Sequence, residues 1–371
     1  MAAPNRYIFG PGATKEIGTR KSLLGTKPFI LGGTRSIGQV EDQMKEDFDE
    51  NGIEPVHWEK GVRYCTMPEI DRLTEAAKEK GADFIVGVGG GSIMDLAKAV
   101  ASERRLQMPI ALINTIPSTD APCSALSVVY DENHAVEDIW MYYKNPDLVL
   151  VPTDVTIQAP VKWLVAGMGD ALATRFEAEA VRDSYSANAL IDGARPASAA
   201  TKLAQFCYEN LIAYGYQAKL ANEKQAITDA YDSVAMANTL LSGIGFESGG
   251  LAAAHGIHDG LTNAPGRVKA PKPEHGDLVA IGTLTQLIME NRSRELLEEV
   301  LNFCLTVGLP TTLEEIGVTY DDLEMCAKAT CDPGHPYADR NVYPLTVDRL
   351  VDALKACDAI GTAYRDKYMR R

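Results

Sequence analysis

At 371 residues the chain exceeds what one ordinary hydrophobic core organises, so two domains are expected. With 51 acidic against 36 basic residues its formal net charge is −15, and the basic pairs Arg104-Arg105 and Arg370-Arg371 are too short and scattered to make a phosphate-binding surface, which argues against nucleic acid as a partner. The seven cysteines contain no Cys-x-x-Cys pair and no apolar run approaches membrane-spanning length, so the expectation is a cytoplasmic protein with free thiols, no zinc ribbon and no membrane partner.

The first part alternates short apolar runs with amphipathic stretches. Pro28 to Leu31 reads as a strand ending in Gly32-Gly33, followed by a helix from about Ile37 to Asn51. Phe84 to Val88 is a second strand, which ends in Gly89-Gly90-Gly91 and opens into a helix over Ile93 to Ala101. Further strands follow at Pro109 to Ile113 and Leu148 to Val151. Strands alternating with helices predict a mostly parallel sheet covered on both faces. From about Val161 long Ala- and Leu-rich helical patterns take over, at 161–181, 196–214, 222–242, 277–290, 293–306 and 346–367. The expected architecture is an α/β domain over residues 1–158 and an all-helical domain over 159–371. Residues 263–275, with three prolines, read as a loop carrying His275.

Gly87-Val88-Gly89-Gly90-Gly91-Ser92 lies between the second strand and its helix. Glycines let a backbone approach a bulky anion, and the free N–H groups of a helix start favour negative charge, so a dinucleotide pyrophosphate is the natural guest. Ser92 stands where the third glycine of G-x-G-x-x-G would be, and a plain strand-to-helix turn capped by Ser92 is the alternative. The next strand leads into Thr115-Ile116-Pro117-Ser118-Thr119-Asp120-Ala121-Pro122, at a strand end where open α/β sheets bind ligands. Its hydroxyls suit a cofactor and Asp120 suits a polyol hydroxyl, or all of them satisfy local backbone.

Two of the six histidines, His255 and His258, sit three residues apart behind the run Gly249-Gly250-Leu251-Ala252-Ala253-Ala254 and share one face if the segment is helical. Asp170 lies in Gly167-Met168-Gly169-Asp170-Ala171-Leu172-Ala173, an apolar setting in which a carboxylate needs a partner. Arg175 nearby is one such partner and a metal ion is the other. An aspartate with two histidines is a mixed oxygen and nitrogen set with an open position, the arrangement of catalytic zinc.

Gly89-Gly90-Gly91 with Asp95 and Ala97-Lys98-Ala99, then Ser118 to Val128, then Gly169-Asp170-Ala171-Leu172-Ala173-Thr174, then Asn238 to Thr262, occur in order over nearly the whole chain. In this the chain resembles the glycerol dehydrogenase branch of the iron-containing (group III) alcohol dehydrogenases. The resemblance implies an active site in the cleft between an N-terminal nucleotide-binding domain and a helical domain. It implies oxidation of glycerol or a similar vicinal diol to the hydroxyketone, NAD as cofactor, homo-oligomers (often octamers), and a divalent ion, usually zinc, with iron(II) as an alternative. Carried over by motif, the metal ligands are Asp170, His255 and His275, with His258 near the site but not a ligand; either His258 or a metal-bound water would relay the proton outward. Gly89, Gly90, Gly91, Ser92 and Asp95 fall on the pyrophosphate turn. Thr115, Ser118, Ser124, Leu126 and Tyr130 match the other cofactor contacts, and Asp120 a residue beside the bound polyol.

Two departures from the resemblance stand out. Ser92 replaces the lysine common after the triple glycine in this branch. The acid expected after the first strand, which holds the adenosine ribose, is also absent: Gly33 stands there, followed by Thr34 and Arg35; an Arg in this place can accept a 2′-phosphate, and the alternative is an ordinary surface residue at a helix start. NAD is the expectation; the alternative is an NADP-preferring enzyme acting on another small hydroxy compound or a hydroxycarboxylate. Dehydroquinate synthase, a lyase of related architecture, acts on a phosphorylated sugar acid, which calls for several Lys and Arg around it. The motifs here are nearly devoid of them, Lys269 and Lys272 lying on the loop before His275.

Overall fold

The computed structural model describes residues 1–132, 136–191, 193–268, 272–337 and 340–369, so Lys269, Arg370 and Arg371 lie outside the described residues. The chain forms two compact units, one of Ala2–Pro160 with Asn222–Asp232 and one of Val161–Ala221 with Ser233–Arg371. All seven cysteines are free thiols.

The strands described in the first unit are β1 (Tyr7–Phe9), β2 (Pro28–Gly32), β3 (His57–Lys60), β4 (Phe84–Gly89), β5 (Ile110–Asn114), β6 (Leu126–Tyr130), β7 (Val136–Met141) and β8 (Leu148–Val151). A parallel sheet has the order β1-β8-β5-β4-β2-β3, and β6 and β7 make a separate antiparallel pair. Strands β2, β4, β5 and β8 are buried along their whole length, which is why they read as unbroken apolar runs. Their side chains alternate between two cores. Ile30, Val86, Val88 and Ile113 pack with Leu24 of α1 (Lys21–Leu24) and with Ile37, Val40, Met44 and Phe48 of α2 (Thr34–Asn51). Phe29, Leu31, Ile85 and Leu112 pack with Ile70 and Leu73 of α3 (Met67–Glu79) and with Met94, Ala97 and Val100 of α4 (Gly91–Ala101). The unit continues through α5 (Thr153–Thr156). It also takes in residues 222–232, because the Asn222 amide donates to the carbonyls of Ile157 and Ala159 (2.8 and 3.3 Å) and the buried Tyr231 hydroxyl bonds that of Thr156 (2.9 Å).

The helices that follow are α6 (Val161–Asp183), α7 (Ser198–Glu223), α8 (Asp229–Met236), α9 (Ser242–Gly249), α10 (Ala253–Leu261), α11 (His275–Met289), α12 (Arg294–Val307), α13 (Leu323–Thr330) and α14 (Val347–Met369). From Leu164 to Val181 nearly every residue of α6 is buried, so it is the helix around which the second unit packs. The pattern expected as one helix over 222–242 is interrupted: α8 passes through a π-helical turn, Ala237–Leu241, into α9.

Candidate metal centre and dinucleotide turn

Asp170 stands on α6, His255 and His258 on α10, and His275 is the first residue of α11. Close backbone approach brings these helices together. A Cβ on Gly276 would lie 1.7 Å from the Ala166 carbonyl oxygen, and one on Gly282 would lie 2.3 Å from the Ala254 carbonyl oxygen. Any side chain at either position would push α11 away from α6 or from α10. With glycine there, Asp170 Oδ1 lies 3.2 Å from His255 Nε2 and 3.3 Å from His275 Nε2. One ligand atom from each of the three residues lies within 4.8 Å of the other two. A carboxylate oxygen and two imidazole nitrogens converging in this way fit zinc or another first-row divalent ion.

Two expectations are revised here. His275 is not carried by the proline-rich loop: Glu274 caps α11 in a reciprocal capping box with Asp277, so a helix start sets the imidazole. Arg175 is not the partner of Asp170; its Nε donates to Glu179 Oε1 at 3.1 Å, and its guanidinium lies over the rings of Phe176 and Tyr208.

Glu177 is a residue that sequence reasoning missed. It is fully buried. Its Oε1 accepts the backbone N–H groups of Ala252 and His255, both at 2.9 Å, and its Oε2 accepts from His255 Nδ1 at 2.6 Å. A carboxylate only accepts, so a proton of His255 sits on Nδ1, and Nε2 is the ring atom that faces Asp170 and His275. The signal was available: Glu177 follows Asp170 by two helical turns, on the same face, in an otherwise apolar stretch. Against burial, Glu177 and Asp170 raise the His255 imidazole well above its ordinary range. Against the same burial, His275 and His255 hold Asp170 well below the usual carboxylate range. The His255 shift reports the negative charge that Glu177 and Asp170 place around the ring, and the Asp170 shift keeps that carboxyl ionised.

His258 packs edge-on against His275, with ring centroids 4.1 Å apart. Its Nδ1 donates to Asp259 Oδ1 at 2.9 Å, and His335 Nε2 donates to Asp259 Oδ2 at 3.1 Å. The Tyr337 N–H in turn reaches His335 Nδ1 at 3.3 Å, which keeps the His335 proton on Nε2. Burial and the neighbouring His275 push the His258 imidazole down to about 4, so it stands neutral. Against burial, its two histidines hold Asp259 well below its ordinary range. His335 also went unread in the sequence, because it lies in an irregular segment with no spacing signal.

In the first unit Gly89 ends β4, Gly90 caps α4 and Gly91 begins it. A Cβ on Gly90 would lie 2.5 Å from the Ile116 side chain, and one on Gly91 would lie 3.3 Å from Thr119 Oγ1. The two segments singled out in the sequence therefore face each other, tied by the Thr115 N–H donating to the Gly89 carbonyl (2.9 Å). Ser92, Ser118 and Asp120 are half-buried there, and Leu126 and Tyr130 share the half-exposed face of β6. Thr115, Asp95 and Ser124 are instead buried. Asp95 pairs with Lys98 Nζ at 3.1 Å and accepts the Val128 N–H at 3.3 Å. Ser124 Oγ accepts from Lys98 Nζ at 3.2 Å and donates to the Ala121 carbonyl at 3.3 Å. Through these contacts Asp95 and Ser124 tie the loop after β5 to α4.

The sequence profile of the iron-containing alcohol dehydrogenases matches residues 4–153. The chain is 42% identical over 365 residues to a glycerol dehydrogenase of Thermotoga maritima, covering 96% of each chain. It is 40% identical over 374 residues to a glycolaldehyde reductase of Halobacterium salinarum, covering 98% of each. The crystal structure of a probable glycerol dehydrogenase from Sinorhizobium meliloti matches it with a TM-score of 0.88 at 36% identity, covering 98% of both chains. Fold and relatives make the chain an oxidoreductase. It belongs to the iron-containing alcohol dehydrogenase family.

Proposed function

We propose that this oxidoreductase reversibly oxidises glycerol, or a similar vicinal diol, to the hydroxyketone with NAD as the hydride acceptor. The observation that carries the reading is the convergence of Asp170, His255 and His275, with Glu177 fixing the His255 tautomer, in a chain 37–42% identical to several glycerol dehydrogenases. Those three residues would hold a divalent ion, zinc in this reading, which supplies a Lewis acid that acidifies the substrate alcohol, while bound NAD supplies the hydride acceptor. The chain's own residues do the rest. Glu177 keeps His255 Nε2 available as a ligand atom. His258, its Nδ1 proton held by Asp259, offers an unprotonated Nε2 to the proton that the alcohol loses. His335 steadies Asp259 from the other side. The turn from Gly89 to Ser92 receives the pyrophosphate, Ser118, Leu126 and Tyr130 line the cofactor, and Asp120 accepts a hydrogen bond from a polyol hydroxyl.

The likeness to a glycolaldehyde reductase favours a second reading, reduction of a small hydroxyaldehyde by the same residues working in reverse. A cytoplasmic homo-oligomer, in this reading an octamer, belongs to the proposal. The support for self-association is that Phe206, Tyr216 and Leu220 of α7 are exposed apolar side chains. Among the described residues no helix is long and apolar enough to cross a membrane.

The test is zinc content together with steady-state oxidation of glycerol by NAD, after zinc reconstitution, for the chain and for His275→Ala. Bound zinc with turnover, both lost in the variant, is expected. A zinc-loaded chain that turns over neither glycerol nor a related diol would overturn the reading.

A further inference from the structure

The run Gly33-Thr34-Arg35 has no explanation in the fold. Strand β2 lies directly beside β4, whose end carries the Gly89 to Gly91 turn, with Gly32 paired to Val88. In doubly wound dinucleotide folds, the strand in this place carries at its C-terminal end the acid that holds the adenosine ribose hydroxyls. Here the position is Gly33. Its backbone does not call for glycine, since φ −66° and ψ 148° are open to any residue. Packing does not call for it either: a Cβ would meet nothing nearer than Ser36 Oγ at 3.4 Å. Gly32 is the contrast, because its Cβ would lie 2.3 Å from the Val88 carbonyl oxygen. An acid at position 33 would therefore fit, and none is there.

The charge at this strand end is positive. Arg35, exposed in the first turn of α2, has no hydrogen-bond or ion-pair partner among the described residues. The nearby acids are already matched. Glu41 takes Lys60, the residue opposite Gly32, at 2.6 Å, and Glu59 takes His57 and Arg72 at 2.9 and 3.0 Å. Gly61 lies on the other side, where its Cβ would be 3.5 Å from Thr34 Oγ1, so the Thr34 hydroxyl stands at the strand end with no unpaired acid among those named.

We propose that the adenosine end of the dinucleotide site accepts a 2′-phosphate, so that this chain binds NADP(H) at least comparably to NAD(H). Arg35 is the principal phosphate ligand and the Thr34 hydroxyl a further donor. A planar guanidinium matches a phosphate with paired N–H donors, and the missing acid removes the repulsion that ordinarily excludes the dianion. The inference rests on the dinucleotide reading of the glycine turn.

Calorimetric titration of the purified chain with NADH and with NADPH tests it without requiring turnover. NADPH is expected to bind more tightly than NADH or within tenfold of it. Arg35→Ala is expected to lower the NADPH-to-NADH affinity ratio about tenfold, and Gly33→Asp to lower it by about tenfold or more. Aspartate is a favourable cap for α2, so the second variant folds, and its melting temperature verifies that. NADH binding with NADPH weaker by more than tenfold overturns the inference and leaves the dinucleotide reading standing. Binding of neither overturns both. A ratio unmoved by both substitutions also overturns the inference.

Discussion

Glu177 offers the sharpest separation between holding the fold and holding the metal. In Glu177→Gln the side-chain oxygen can serve the two backbone N–H groups of Ala252 and His255 or the Nδ1–H of His255, but not both sets. Two hydrogen bonds outweigh one, so the amide oxygen stays with the backbone and the NH2 faces Nδ1. His255 then moves its proton to Nε2, the atom that faces Asp170 and His275. Loss of such a supporting carboxylate weakens metal binding about 10- to 100-fold, which is about 1.4–2.7 kcal/mol. Glu177→Ala differs in kind. It strands three buried donors at about 1–3 kcal/mol each, so unfolding of the metal-free protein loses at least about 3 kcal/mol. Zinc competition with a chromophoric chelator, paired with denaturant melts of the metal-free chain, measures both. A Gln variant that binds zinc within threefold of the parent would refute the tautomer argument, and an Ala variant of unchanged stability would refute the donor count.

Gly276→Ala places a Cβ 1.7 Å from the Ala166 carbonyl oxygen and should cost about 3 kcal/mol or more in a denaturant melt, with zinc affinity falling as α11 is displaced from Asp170. Lys98→Met leaves Asp95 buried and unpaired, which costs about 3–5 kcal/mol; proteolysis should then cut within residues 121–126, whose carbonyls Lys98 holds. Asp259→Asn turns an amide donor toward one of its two histidines. It should lower kcat about tenfold or more while zinc affinity, read by the same chelator competition, stays within threefold.

Much of the fold was legible because its signals are local. Strands β2, β4, β5 and β8 announced themselves as unbroken apolar runs, since both their faces are covered. Strands β1 and β3 did not: they are three and four residues long and only half-buried, so no apolar run marks them. The long helices were readable from periodicity, but the π-helical turn between α8 and α9 was not, because periodicity continues across it. At the candidate site the residue types Asp170, His255 and His275 were visible as a motif, and their spacing alone did not bring them together. Glu177 looked like one acid among 51 acidic residues, and nothing in the motif around Asp95 and Ser124 showed that both are buried against Lys98.

By itself the sequence determined the alternation of strand and helix, the glycine turn and the supply of ligand atoms, each encoded within a few consecutive residues. Only the tertiary structure decided that α6, α10 and α11 approach closely enough for three side chains to converge, that Glu177 sets one of their tautomers, and that Lys98 is buried against the carbonyls of residues 121–126. The reason is physical: periodicity is set by neighbours along the chain, whereas convergence depends on backbone-to-backbone distances between distant segments, and those follow from how whole helices pack.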